Sequence, residues 1–312
     1  MLTELQAGTA KSIVNLFETG RVLGDYAQVT LIPGDTGGLT YGRSQTTLTS
    51  GGLHRLVSDY CALPEAQMAS PLVPFLPALE GKDPALNEDR YFHNLLRAAA
   101  DDAAMRAAQD EFFDREYWLP AARIATRRGI TTPLGIAVVY DSRVHGAWDF
   151  IRRRTDAAAG PIAALGERAW ITAYVRERRN WLANHRRADL RRTTYRMDTF
   201  LMLIEDDLWA LELPLVVRGQ EIDEAALAAR PAGVFDGPPP RSRPIALARP
   251  LMRGLDVRMV QLALSKPDNG FAVGADGFYG RHSARAVAAF RRRNGMDEDH
   301  VVDEVVFDRL LQ

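Results

Sequence analysis

The chain has 312 residues, 46% of them hydrophobic and 25% charged, with a formal net charge of −1. That length suits one large and one small globular unit rather than a single core. Near-neutrality excludes a surface given over wholly to nucleic acid, and no run approaches the ~20 apolar residues needed to span a bilayer. The only cysteine, Cys61, excludes an intramolecular disulfide and reads as a buried thiol. Residues 1–20 lack the basic segment, apolar run and small-residue cleavage site of a secretory leader. Synthesis in the cytoplasm is therefore expected, with any wall substrate reached by lysis or a specialised secretion machine.

Apolar residues at helical spacing predict a first helix over Gln6–Leu16. The texture then changes. Val29–Gly42 (VTLIPGDTGGLTYG) mixes β-branched residues with proline and glycine, the pattern of short strands and tight turns. Helical periodicity returns at Leu53–Tyr60, Tyr91–Ala99, Ala103–Trp118, Leu134–Val144, Ala163–Trp181 and Thr193–Leu211. Arginines crowd the middle of the chain, from Arg152-Arg153-Arg154 through Arg176, Arg178 and Arg179 to Arg196. They read either as a solvated helical face paired with acids or as the flank of an acidic cleft. The expected fold class is mainly α, a lysozyme-like helical domain over residues 1–230 with a small β-hairpin near its N-terminus. Residues 231–249 are Pro-rich and are expected to form a stiff linker. Residues 250–312 carry three helical patterns, Val257–Leu264, Ser283–Phe290 and Glu304–Leu311, around an Asp276-Gly277-Phe278-Tyr279-Gly280 turn.

Glycoside hydrolysis uses two carboxyl groups, one protonated to donate to the leaving oxygen and one ionised as base or nucleophile. Glu18 follows the apolar Val14-Asn15-Leu16-Phe17 at the end of the first helix, where poor solvation would favour its proton. Asp35 lies in the Gly-flanked turn of the hairpin, where backbone amides and water would keep it ionised. Spacing alone does not select this pair from 40 acidic residues.

Ala10–Tyr60 resembles the N-terminal part of glycoside hydrolase family 46, the chitosanases, in its helix-borne Glu18, its Gly34-Asp35 turn and the following Thr40. The resemblance implies Glu18 as general acid, Asp35 as general base and Thr40 as the group positioning the attacking water, in an inverting mechanism. Ala108-Gln109-Asp110 and the run to Ala121 resemble that family's Gln- and Asp-containing helix. Leu134-Gly135, Val139-Tyr140-Asp141-Ser142 and Val144-His145-Gly146 resemble its central buried helix. Asp141 is then implied in an ion-pair network supporting the acid, with Arg192 or Arg196 as the arginine. In the tail, Leu251, Arg253, Gly254, Val257, Gln261, the Asp276–Gly280 turn, Ala286, Val287, Phe290 and Gly295 resemble the three-helix peptidoglycan-binding domain.

One departure bears on substrate. Gly52 stands where chitosanases place an aspartate that pairs with a glucosamine ammonium group. Arg43, Ser44 and Gln45, with Tyr41 beside them, offer cationic and polar groups instead and are the expected substrate-binding residues. The favoured expectation is a muramidase-like hydrolase of peptidoglycan. Chitosan hydrolysis is the alternative, and a non-catalytic wall-binding protein the second alternative. No cofactor is implied, and the six histidines lack metal-ligand spacing. The partner is an amino-sugar polysaccharide, not nucleic acid, and a monomer is expected.

Overall fold

The computed structural model describes residues 2–32, 36–43 and 45–311. It separates into two units, residues 1–24 with 111–230, and residues 25–110 with 231–312.

In the first unit, the helix Glu4–Thr19 starts at a capping box. The Thr3 hydroxyl accepts from the Gln6 N–H, and the Gln6 side chain accepts from the Thr3 N–H, each at 3.1 Å. Gly20, at φ +72°, ends it in the left-handed conformation. Ala10, Ile13, Val14 and Phe17 are buried in the same core as the helix Pro133–Val144, which packs against it. Burial of each larger side chain contributes about 1.5–3 kcal/mol. Pro133–Val144 is capped by Thr132 and buried from Pro133 through Ser142, as a helix apolar all round must be. It is the central element of this unit, touched by Leu119–Arg127, Trp148–Ala159, Glu167–Ala183 and Tyr195–Glu205.

Three details depart from the sequence expectation. The helix expected over Ala163–Trp181 is broken at Gly166 (φ +76°), giving Ile162–Leu165 and Glu167–Ala183. The helix Trp148–Ala159 was not expected, because its Arg-rich outer face hides the apolar stripe of Trp148, Ile151 and Thr155. Strands Leu215–Val217 and Gln220–Ile222 pair across Arg218-Gly219, both at positive φ, as a two-residue hairpin turn requires. Many of the crowded arginines form surface ion pairs, among them Arg152–Asp156, Arg154–Glu177 and Arg179–Asp198. That is the solvated-face reading, and only Arg178 and Arg196 among them are fully buried.

In the second unit, the expected hairpin is a three-stranded antiparallel sheet of Val29–Thr30, Thr40–Tyr41 and Thr46–Thr47. Thr40 pairs with Thr30 on one side and Thr47 on the other. The helix Leu255–Ser265 of the tail packs on the helix Arg90–Ala99. Arg258, 1% exposed, donates to Asp101 Oδ1 (2.9 Å), the Arg97 carbonyl (2.7 Å) and the Gly233 carbonyl (2.7 Å). Asn94, fully buried, donates to the Val273 carbonyl and accepts from the Ala275 N–H, both at 2.8 Å. The three tail helices close their own core of Val257, Val260, Leu264, Tyr279, Val287, Phe290 and Phe307.

The Pro-rich stretch expected as a linker is packed rather than extended into solvent. Val234 and Ile245 are buried, the Phe235 N–H donates to Asp101 at 2.8 Å, and Ile245 pairs through its backbone with Val302. Gly277, at φ +79°, allows the turn to meet this stretch: a Cβ there would stand 2.3 Å from the Phe235 ring. Among the described residues no helix is long and apolar enough to cross a membrane.

Candidate active site

Glu18 lies in the last turn of Glu4–Thr19, with its side chain 25% exposed. Its Oε1 is 2.8 Å from Nη2 of Arg196, which comes from the helix Tyr195–Glu205. Arg196 is 2% exposed, and its Nε donates to Asp141 Oδ1 at 2.8 Å, with Nη2 2.7 Å from the same oxygen. Asp141 is fully buried on the central helix. Burial opposes the charge of Arg196, but Asp141 and then Glu18 outweigh it and hold its pKa above the usual arginine value. Arg196 also lies over the Phe17 ring, 5.0 Å from its centroid. A surface-accessible carboxylate is thus held in place by a buried cation whose charge is balanced from behind.

His145 caps the central helix in the same unit. Burial, with Arg196 nearby, pushes its pKa down to about 4. Arg178 donates to its Nδ1 (3.0 Å) and to the Gly146 carbonyl (2.7 Å), so the neutral ring accepts at Nδ1. His145, half-buried, belongs to the surroundings of this network.

In the second unit the strand Thr40–Tyr41 is fixed from behind by the helix Ala103–Phe113. Gln109, fully buried, accepts from the Arg43 N–H at 3.1 Å and donates to the Tyr26 carbonyl at 3.0 Å. Gly42 (φ +74°) leaves room for that amide: a Cβ there would lie 2.3 Å from Gln109 Oε1. Asn87 Oδ1 accepts from the Leu39 N–H at 2.8 Å. The Thr40 hydroxyl, half-buried, donates to the Gly38 carbonyl at 3.3 Å. The sequence reading assigned no role to Gln109 or Asn87. The Gln109-Asp110 pair was visible as a motif, whereas nothing local marked Asn87.

Two expected substrate contacts are corrected. Tyr41 is fully buried and faces the core, because its position in the strand alternates with Thr40. Arg43 is 8% exposed, with its guanidinium paired to Asp110, donating to the Tyr26 hydroxyl at 3.3 Å and set over the Tyr26 ring. Both are structural. Gln45, half-buried at φ +47°, stays accessible. Asp35 and Ser44 lie outside the described residues. Of the two arginines weighed for Asp141, Arg196 is the one that reaches it, whereas Arg192 is exposed. Among the described residues no cluster of His, Cys, Asp or Glu is placed to hold a metal ion.

The sequence model of glycosyl hydrolase family 46 matches residues 12–215, a span that includes Glu18, Asp141 and Arg196. The chain belongs to that family. As a family 46 protein it is a glycosidase with a lysozyme-like helical fold. It is 28% identical over 238 residues to the chitosanase of Bacillus subtilis (strain 168), covering 70% of this chain and 84% of that protein. The native chitosanase of Bacillus subtilis MY002 superposes with a TM-score of 0.60 at 26% identity, covering 70% of this chain and 96% of that one. A family 46 chitosanase of Gynuella sunshinyii, solved with chitotetraose, shares the fold at a TM-score of 0.61 and 24% identity, covering 71% of this chain and 98% of that one. The family match ends at residue 215, so residues 231–312 lie outside it.

Proposed function

We propose that this protein is a chitosanase that hydrolyses the β-1,4 bonds of chitosan internally with inversion. Glu18 protonates the leaving oxygen, Asp35 activates the attacking water, and Thr40 orients that water. The single observation that carries the reading is the Glu18–Arg196–Asp141 chain, which fixes one solvent-reaching carboxylate on a buried support. Chitosan replaces peptidoglycan as the favoured substrate for two reasons. The relatives are named chitosanases, and Arg43, the cation expected to contact substrate, is instead paired with Asp110.

Charge supports the same choice. Residues 25–110 hold eleven carboxylates against six Lys and Arg, a net of −5, while the whole chain carries −1. A polycation such as chitosan is drawn to that segment, even though Gly52 supplies no carboxylate of its own. The test incubates the protein separately with chitosan and purified peptidoglycan, with products read by mass spectrometry and the first-formed anomer by proton NMR. Glucosamine oligomers released with the α-anomer first are expected, and Glu18→Gln and Asp35→Asn should each abolish release while leaving the circular dichroism unchanged. New ends from peptidoglycan alone would overturn the reading.

A further inference from the structure

The end of the first helix, one residue before which stands Glu18, is held by two side chains from outside it. A helix ends in carbonyls for which its own turns supply no donors, and the negative end of its dipole favours a cation. Glu4–Thr19 has no basic residue in its last turn. The two carbonyls just before Glu18 are met from far downstream instead. The Tyr195 hydroxyl donates to the Phe17 carbonyl at 2.9 Å. Nη1 of Arg218 donates to the Leu16 carbonyl at 3.1 Å, beside the Gly20 N–H at 3.2 Å. The two side chains also support each other. The Arg218 guanidinium lies over the Tyr195 ring, 4.3 Å from its centroid, and that ring meets Phe17 edge-on at 5.8 Å.

Two placements make this more than a generic helix cap. Tyr195 directly precedes Arg196, so one residue fixes the backbone beside Glu18 and the next fixes its carboxylate. Arg218 opens the two-residue turn between Leu215–Val217 and Gln220–Ile222 at φ +54°, a position where Asn, Asp or Gly fits with least strain. An arginine adds nothing to such a turn. Its side chain instead leaves the exposed turn and ends on the helix that carries Glu18, and among the described residues it meets no carboxylate. A residue that breaks the rule of its own turn while completing a distant helix end points to a role at that end.

We infer that Tyr195 and Arg218 are positioning residues for the general acid, clamping the last turn of its helix so that the Glu18 carboxyl keeps its place during hydrolysis. The inference rests on Glu18 acting as that acid, as proposed above. Three full-chain variants test it, by kinetics on chitosan and by amide hydrogen exchange without substrate. Tyr195→Phe removes only the hydroxyl, Arg218→Gln removes the cation, and Arg218→Lys keeps a charged donor for the Leu16 carbonyl. Measured well below the unfolding temperature, kcat is expected to fall about tenfold in Tyr195→Phe and in Arg218→Gln, with KM within about twofold of the wild type. A residue that served the fold alone would lower Tm and leave kcat unchanged. Arg218→Lys should recover most of the lost kcat. The Gly20 amide, bonded to the same Leu16 carbonyl as Arg218, should exchange at least about fivefold faster in Arg218→Gln. The clamp is refuted if kcat stays within about twofold of the wild type in either of the first two variants, if KM alone changes, if Arg218→Lys is as impaired as Arg218→Gln, or if Gly20 exchanges at the wild-type rate. Should the wild type leave chitosan intact, the proposed function fails, and the Gly20 exchange rates alone decide the clamp.

Discussion

The guanidinium of Arg196 meets the Glu18 carboxylate at 2.8 Å while its other contact, Asp141, is buried behind it. The carboxylate at the end of the first helix is therefore oriented by a cation that cannot swing away. Arg196→Lys keeps the charge but loses the planar fork that reaches both acids at once. A shift of about 1 Å in a reacting group can cost about 100-fold in rate. On that scale kcat on chitosan is expected to fall about 100-fold with KM little changed. An unchanged kcat would remove Arg196 from the positioning of Glu18.

Asp141 bears on stability more than on contact with substrate, since it is fully buried. Asp141→Asn leaves Arg196, 2% exposed, without its main counter-charge. Breaking a buried pair from one side costs about 3–5 kcal/mol. Urea unfolding is expected to show a loss of that order, with activity falling in parallel. A loss below about 1 kcal/mol, the level of an exposed pair, would mean that water reaches the site.

Gly42 and Gln109 form a second support. Gly42→Ala forces a Cβ to 2.3 Å from Gln109 Oε1 at a φ of +74°, so the amide or the strand must move. Gln109→Ala removes the partner of the buried Arg43 N–H and of the Tyr26 carbonyl. Each buried group left unpaired costs about 1–3 kcal/mol. Both variants should lose stability and raise KM for chitosan, because the strand carrying Thr40 loosens. If Gln109→Ala unfolds at the wild-type urea concentration, the amide is not a support.

Much of this was readable from local sequence, and what was missed has physical causes. The first helix, the Gly-rich strand region and the tail helices follow from periodicity and punctuation, which act over a few residues. Glu18 and Asp141 could be named from motif resemblance, and the arginine joining them narrowed to Arg192 or Arg196, but only the folded chain selects Arg196, 55 residues beyond Asp141 among many similar arginines. Arg43 and Tyr41 were misjudged because polarity in a turn was taken for exposure, and only the folded chain shows Asp110 and the core taking them up. The Pro-rich stretch had a linker's composition, yet the side chains that hold it, Arg258 and Asp101, lie on other elements.

His145 predicts an acid limit. Burial, aided by Arg196 and Arg178 and opposed by Asp141 and Asp189, holds its pKa at about 4, against 6.5 in an open chain. The folded protein therefore binds fewer protons than the unfolded chain between those values. Stability is complete above pH 6.5 and is lost as pH falls toward 4, by roughly 3 kcal/mol from this group. Urea midpoints at pH 7, 5 and 4 should fall less steeply in His145→Gln than in the wild type. Equal slopes would assign the acid sensitivity to other groups.

Arg258 tests how the tail is attached. It is buried against Asp101, itself only 4% exposed, and also holds the Arg97 and Gly233 carbonyls. Arg258→Met fills a similar volume but takes the buried guanidinium from Asp101 and from the Arg97 and Gly233 carbonyls. The expected loss is about 3–5 kcal/mol, a large share of a domain's whole stability. Hydrogen exchange should place that loss in residues 90–110 as well as in the tail, because the two pack as one unit. A tail that merely hung from a linker would loosen alone and leave the Arg90–Ala99 helix as protected as before. The same logic extends to a chain ending at residue 230, which should lose protection at Tyr26 and Ala100, where Val234 now covers them.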